Sequence, residues 1–412
     1  MQRRPCATVT AARVLLYAAG ACLWLHGAVA SAATPAAATG TTTTTTTTPD
    51  CRRAPAVAGW PAWDSFAASF MGDGARVIDP ATPSGQSTSE GQAYALFFAL
   101  VADDRPRFER VLRWTEDNLA GGDLSARLPA WQWGKKSDGS WGVIDANPAA
   151  DADLWIAYVL QEAGRLWQVP RYGALGQLIA ERILREETTV IDGLGRVLLP
   201  APTGFMPVPD TVRLNPSYAP LQVLRRLASG STDAKSKAQW NAQLATAQRL
   251  LIESAPHGFV PDWVVYRSGA GFGADGETAG VGSFDAIRTY LWAGMLAPAE
   301  PHRAALQKAF APMLSATIKN GTPPKQVDTR SGAFTGVGDA GFSAALLPLL
   351  STLPGAQGAA LQRTRITASD PLARRDNYYE QALTLFGLGW VDGRYRFKVD
   401  GMLERRTPCA AR

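Results

Sequence analysis

Histidine is scarce, with three in 412 residues, and His26 falls in an N-terminal segment expected to be removed. His257 and His302 alone cannot build a histidine-rich zinc centre, so no metal is expected. Cysteine is almost as sparse. Of four, Cys6 and Cys22 share that N-terminal segment, which leaves Cys51 and Cys409. Charged residues are only 19% of the chain, too few for a disordered polymer, while the 46% apolar fraction can bury a large core. The formal charge of +5 drops to +2 when Arg3, Arg4 and Arg13 leave with the N-terminal segment. So small and scattered an excess excludes a nucleic-acid footprint. Beyond that segment no run of 18 apolar residues occurs, so no membrane association is expected once it is cut off.

What is present begins with an export pattern. Arg3, Arg4 and Arg13 precede the apolar stretch Val14 to Val29, and Ala30-Ser31-Ala32 offers small residues for cleavage. That order reads as a signal peptide over 1–32. The alternative is an uncleaved anchor. Residues 33–50 include Thr41 to Thr48 unbroken, a composition that reads as a disordered tether. A folded domain is expected over 51–412, in the periplasm or outside the cell. In an oxidising compartment Cys51 and Cys409, one near each end of that domain, invite a disulfide.

Apolar residues recur at helical spacing. Tyr94, Phe97, Phe98 and Val101 make one stripe; Ile156, Leu160, Ala163 and Trp167, stopped at Pro170, make another; Phe284, Ile287, Leu291 and Gly294 make a third. The pattern predicts twelve helices: 61–71, 89–103, 105–119, 150–168, 171–186, 217–229, 236–254, 284–296, 299–317, 340–351, 355–367 and 376–389. Strand signals are few, at Val197 to Leu199 and Val260 to Tyr266. Helix pairs in one uninterrupted run predict a single all-α domain of two layers. The long 120–149 connection carries Trp131, Trp133 and Trp141, which suits a working loop better than filler.

Three acidic positions open helices. Glu90 follows Ser89, which with Gln92 reads as a capping box. Asp151 and Asp153 stand two apart, so they point in different directions on a helix. Asp285 lies three residues before Arg288, close enough to pair. Each has a plain structural reading as a cap, a dipole partner or an ion pair. A helix start favours the charged form of a carboxylate, whereas a general acid must keep its proton, so burial or a nearby carboxylate would have to win. If like-directed helices gather in a ring, these starts meet at one end. Carboxylates among thirteen tryptophans suit sugar chemistry: aromatic faces stack on pyranose rings and an acid–base pair cuts between them.

Several segments carry a resemblance: Trp60-Pro61-Ala62-Trp63, Arg76-Val77-Ile78-Asp79-Pro80, Thr88-Ser89-Glu90-Gly91-Gln92, Leu128 to Lys136, Asn215-Pro216-Ser217-Tyr218, Ser283 to Arg288 and Leu383 to Gly387. Asp151, Ala152, Asp153, Ile156, Ala157, Ala163 and Trp167 match a known signature, with Ala150 in place of its Ser or Thr and departures at Val159 and Gln161. From about Cys51 to Cys409 the chain resembles the glycoside hydrolase family 8 endoglucanases, in particular the periplasmic cellulases of bacterial cellulose-synthesis operons. The resemblance implies an (α/α)6 barrel and hydrolysis of internal β-1,4-glucosidic bonds with inversion. It implies Glu90 as proton donor, and Asp151, which the family labels a nucleophile, as the residue holding the distorted sugar. Asp285 is implied as the base that activates water. Trp131, Trp133, Trp155, Tyr218 and Arg288 are implied to line the groove. No cofactor or metal is implied. The partners would be a β-1,4-glucan chain and the cellulose synthase or export complex. Competing readings are a chitosanase or xylanase on the same scaffold, or a non-catalytic glucan-binding component of export, which would need the aromatics but not all three acids.

Overall fold

The computed structural model describes residues 59–72 and 74–405. The expected signal peptide, the tether, Cys51 and Cys409 lie outside the described residues.

Thirteen α-helices appear among the described residues: α1 (Pro61–Phe70), α2 (Ser89–Val101), α3 (Arg105–Leu119), α4 (Ala150–Leu166), α5 (Pro170–Glu186), α6 (Leu221–Gly230), α7 (Ala234–Glu253), α8 (Ala286–Gly294), α9 (Arg303–Ala309), α10 (Ala311–Asn320), α11 (Ala340–Leu350), α12 (Ala359–Ser369) and α13 (Tyr378–Val391). The extra helix comes from the expected 299–317 segment, which breaks at Phe310. Pro312 lacks the N–H that would carry one helix across, yet it suits the first turn of a new one. Other starts are fixed the same way, by Pro61, Pro106 and Pro170. Asp104, Asp233 and Asp339 cap theirs by accepting from a backbone N–H three residues on. The cap of α2 differs from expectation. Thr88, not Ser89, accepts the Gly91 N–H at 3.1 Å. Gln92 turns away from the helix start, accepting from Val77 N at 2.7 Å and donating to Thr115 of α3 at 3.2 Å.

Alternate helices form two layers. Helices α2, α4, α6, α8, α11 and α13 pack in sequence around a ring. Phe98 of α2 closes it against Phe386 of α13, at 4.7 Å between centroids. Most of these helices are buried on every side, as α8 and α11 are along their whole length. The outer helices bury one stripe only: α3 on α2, α5 on α4, α7 on α6, α12 on α11 and α1 on α13. Where ring helices touch most closely there is no room for a side chain. A Cβ on Gly387 of α13 would stand 2.0 Å from the Ala344 carbonyl of α11. The architecture is an (α/α)6 barrel, and among the described residues no helix is long and apolar enough to cross a membrane.

Phe97, Trp155, Trp292 and Phe386 fill the barrel axis, with neighbouring ring centroids 5.1–5.6 Å apart. Tyr94 caps this stack, with its ring 5.0 Å from Phe386 and its hydroxyl directed at Arg288.

Short strands cluster at the start of the ring helices. Ser87–Thr88, leading into α2, pairs with Gln132–Lys135, which pairs with Trp141–Asp145. Thr211–Leu214, ahead of α6, joins Val264–Arg267 and Gly271–Ala274, between α7 and α8, in a second antiparallel sheet. Val281–Gly282, leading into α8, joins Pro324–Asp328 and Phe334–Val337 in a third. These sheets build the rim around the N-terminal end of the barrel.

Candidate active site

Because the ring helices start at one end, Glu90, Asp151 and Asp285 converge there, and one guanidinium joins them. Arg288 Nη1 donates to Glu90 Oε2 and, at 3.3 Å, to Asp151 Oδ2. Arg288 Nη2 donates to Asp285 Oδ1 at 2.8 Å and to Ser217 Oγ at 3.0 Å. Ser217 is itself held, its Oγ donating to Asn215 Oδ1 at 2.7 Å. The Arg288 side chain is 4% exposed and that of Asp151 6%, whereas Glu90 is 21% exposed and Asp285 35%. Glu90 and Asp285 therefore reach solvent, and Asp151 and Arg288 lie beneath them.

The electrostatics follow from that layering. Burial, then the charge of Glu90, pushes the Asp151 carboxyl up to about 7, against the pull of Arg288. Below about pH 7 a proton thus remains beside Glu90. Burial works against the charge on Arg288, but Glu90, Tyr94, Tyr379 and Asp285 overcome it and hold the guanidinium well above its ordinary value. Arg288 is permanently charged here, and it compensates acids that would otherwise repel one another.

Local sequence explains how each carboxylate is aimed. The N–H of Ser89 donates to the Trp131 carbonyl at 3.0 Å, which ties the start of α2 to the tryptophan-bearing hairpin. At α4, Ala149 and Ala150 supply no side-chain cap. Asp151 Oδ1 instead accepts the N–H of Ala152 at 2.8 Å, and Ala150 N–H is satisfied by the Pro200 carbonyl. Asp285 precedes α8 but makes no cap with its side chain, which is committed to Arg288.

The implied groove residues separate. Tyr218 lies by the hub, its ring 6.0 Å from the Arg288 guanidinium. Trp131 adjoins Glu90 through the backbone. Trp133 belongs to an aromatic cluster on the rim, stacked on Trp141 at 5.4 Å, edge-on to Trp114, with the Arg76 guanidinium 4.7 Å above it. Trp155 departs from expectation. It is 1% exposed and packed in the barrel axis, because it stands four residues after Asp151, on the same face of α4 but one turn deeper into the barrel.

Sequence reasoning missed Tyr94, Ser217, Tyr379 and Asp262. Tyr94 counted only as part of an apolar stripe. Tyr379 donates to the Phe284 carbonyl at 2.5 Å beside Asp285, and nothing in its own segment marks it. Ser217 does carry a signal, since it lies inside the Asn215-Pro216-Ser217-Tyr218 segment.

Comparison with known proteins gives a consistent picture. The sequence profile of Glycosyl hydrolases family 8 matches residues 43–393. An endoglucanase of Xanthomonas axonopodis pv. citri (strain 306) is 48% identical over 366 residues, which are 87% of this chain and 93% of that one. An endoglucanase of Salmonella typhi is 46% identical over 350 residues, 85% of this chain and 92% of that one. The crystal structure of an endo-1,4-D-glucanase from Vibrio fischeri ES114 superposes with a TM-score of 0.80 at 45% identity, covering 84% of this chain and 99% of that one.

Proposed function

The chain belongs to glycosyl hydrolases family 8, and from that premise we propose that it is an endo-β-1,4-glucanase that cuts internal bonds of a glucan chain in a single inverting displacement. The observation that carries this reading is the joining of Glu90, Asp151 and Asp285 through one buried arginine, with the first and last open to solvent. A non-catalytic glucan-binding protein has no use for three repelling acids and the cation that compensates them.

In this reading Glu90 gives its proton to the bridging oxygen as the C1–O bond breaks. Asp285 takes a proton from a water whose oxygen forms the new bond at C1 on the opposite face. Asp151, deeper and holding its proton up to about 7, hydrogen-bonds the distorted sugar between them. Glu90 and Asp285 bind different nitrogens of one guanidinium. Two charge-assisted hydrogen bonds and a guanidinium's width bound the gap between the bonded oxygens at roughly 8 Å. That accommodates the ~6.5–9.5 Å carboxyl spacing that leaves room for a water. The decisive experiment is proton NMR of β-1,4-glucan cleavage before mutarotation. The α-anomer should form first, and an initial β-anomer overturns the mechanism. Reducing-end release from carboxymethylcellulose, chitosan and xylan, measured side by side, tests the substrate, with carboxymethylcellulose expected to lead.

The N-terminal export pattern supports a periplasmic or secreted enzyme that meets glucan as it leaves the cell, alongside the synthase or export complex. Cell fractionation tests the compartment. Thiol titration of the unreduced, exported protein tests the Cys51–Cys409 bond, for which no free sulfhydryl should be found.

A further inference from the structure

The loop that presents Asp285 is gripped from several sides. Asp262 N–H donates to the Val281 carbonyl at 2.8 Å, Ser283 Oγ donates to the Lys325 carbonyl at 2.8 Å, and Tyr379 donates to the Phe284 carbonyl. A Cβ on Gly282 would stand 2.0 Å from the Val260 carbonyl, so the loop backbone lies flat against residues 260–262. Among these anchors Asp262 alone holds the chain on both sides of Asp285. Its Oδ1 accepts from Ser283 N at 2.8 Å and from Ala286 N at 2.7 Å. The second of these bonds is a cap for α8. Asp285 stands in the ordinary capping position and its side chain leaves that duty undone.

We propose that Asp262 is a positioning residue for the hydrolytic reaction: it caps α8 from the loop that leads into Val264–Arg267, which frees the Asp285 carboxylate for the groove, and it sets a second negative charge behind that carboxylate. The inference rests on the reading of Asp285 as the base. A capping carboxylate is ordinarily the residue next to the helix. Moving the cap to another segment lets the adjacent carboxylate do chemistry while the helix start stays satisfied. The charged and titratable groups facing Asp262 are Asp285, Arg288 and Tyr290 from the α8 side and Tyr379 from α13. Burial lifts the Asp262 carboxyl to about 6, against its two backbone hydrogen bonds, so it is mainly ionised at neutrality.

The test compares Asp262→Ala, Asp262→Asn and, as a reference, Asp285→Ala in carboxymethylcellulose hydrolysis. Asp262→Ala should lower kcat by ~10²-fold, the effect of an ångström-scale misplacement, with KM within about twofold of wild type. Asp262→Asn keeps an oxygen acceptor for both N–H groups and should recover most of kcat, while the acid limb of kcat/KM moves to lower pH because a neighbouring negative charge is gone. A wild-type kcat in Asp262→Ala, or an Asn variant as slow as the Ala variant, overturns the proposal. Should the alanine protein not fold, the asparagine variant decides: an acid limb unmoved from wild type overturns it. Full turnover in Asp285→Ala would instead remove the base assignment itself, and this inference with it. An inactive Asp285→Ala beside a fully active Asp262→Ala would leave the base standing and Asp262 without the role.

Discussion

Asp151 and Asp153 open the same helix two residues apart, both buried, in opposite surroundings. Asp151 meets Arg288 and, through it, Glu90 and Asp285. Asp153 faces Glu187 at the end of α5. Both are 0% exposed, and neither carboxyl has a hydrogen-bond partner elsewhere among the described residues. At the first cluster a cation stabilises charge that the chemistry needs. At the second no cation is present among the described residues, and burial holds both carboxyls well above their ordinary values, aided at Asp153 by the charge of Asp151 and at Glu187 by that of Asp153, so the seam is kept by retaining protons. Glu162 gives a third solution: a sealed carboxylate bonded to Arg165, to Arg226 at 2.5 Å and to the Leu403 N–H, which anchors the C-terminal strand to α4. The difference teaches that burial does not identify a catalytic acid. A shared cation and an opening to solvent do.

The comparison breaks most sharply at the reacting acids. Glu90→Gln should lower kcat by ~10²–10⁴-fold while glucan binding, measured by affinity electrophoresis, persists. Asp153→Asn, at the other acid of the same signature, should keep kcat within a fewfold. Loss in the second variant and retention in the first would reverse the assignment of the two clusters. Next in size is the hub. Arg288→Met removes the cation that joins three carboxylates, and breaking a buried ion pair by deleting one partner costs ~3–5 kcal/mol. Denaturant unfolding should show a loss of that order, smaller at pH 5 than at pH 8 because protonation relieves the stranded acids. A variant as stable as wild type at pH 8 would mean that the acids do not rely on Arg288.

A smaller effect concerns pH. Since Asp151 holds a proton up to about 7 by burial and by the charge of Glu90, activity that depends on that proton should fall as pH rises through about 7. The alkaline limb of kcat/KM should therefore lie near neutrality in wild type and stay there in Asp153→Asn. A plateau extending past pH 9 would show that the proton beside Glu90 is not used.

Much of this was legible in the sequence, for physical reasons. The ring helices have long apolar stripes because they are buried all round, and their ends carry Pro, Asp or Thr signals, so eleven of the twelve expected segments each hold one α-helix, preceded in 217–229 and 355–367 by a short 3-10 turn. The failure at 299–317 came from giving periodicity more weight than Pro312. The rim strands were mostly invisible. They are two to five residues long, several are glycine-bearing, as at Gly271–Ala274, and half-exposed strands such as Trp141–Asp145 have no clean alternation. At the site, the acids were visible as helix-start residues, whereas Trp155 shares a helix face with Asp151 and looks like a groove residue until the depth of the groove along α4 is known. Asp262 was hidden for another reason: its role lies in hydrogen bonds to a loop some twenty residues away, which no local pattern encodes.

The smallest predicted effect isolates the sealed pair. In the unfolded chain Asp153 and Glu187 lose their protons near the ordinary values of 3.8 and 4.5, but in the fold both are held well above them. Over the interval that begins above those values, the folded state binds more protons than the unfolded one, so stability must decline as pH rises. The decline ends only when the folded pair releases its protons. Glu187→Gln removes one acid and leaves an amide that can donate to Asp153, turning a two-carboxyl seam into an ordinary hydrogen bond. Thermal unfolding of wild type and variant between pH 5 and 8 should then diverge, with the variant gaining on wild type as pH increases and kcat unchanged at every pH. A gap in Tm that stays constant across that range would show that the pair carries no pH-dependent cost. A fall in kcat would show that the two clusters on α4 are not separate after all.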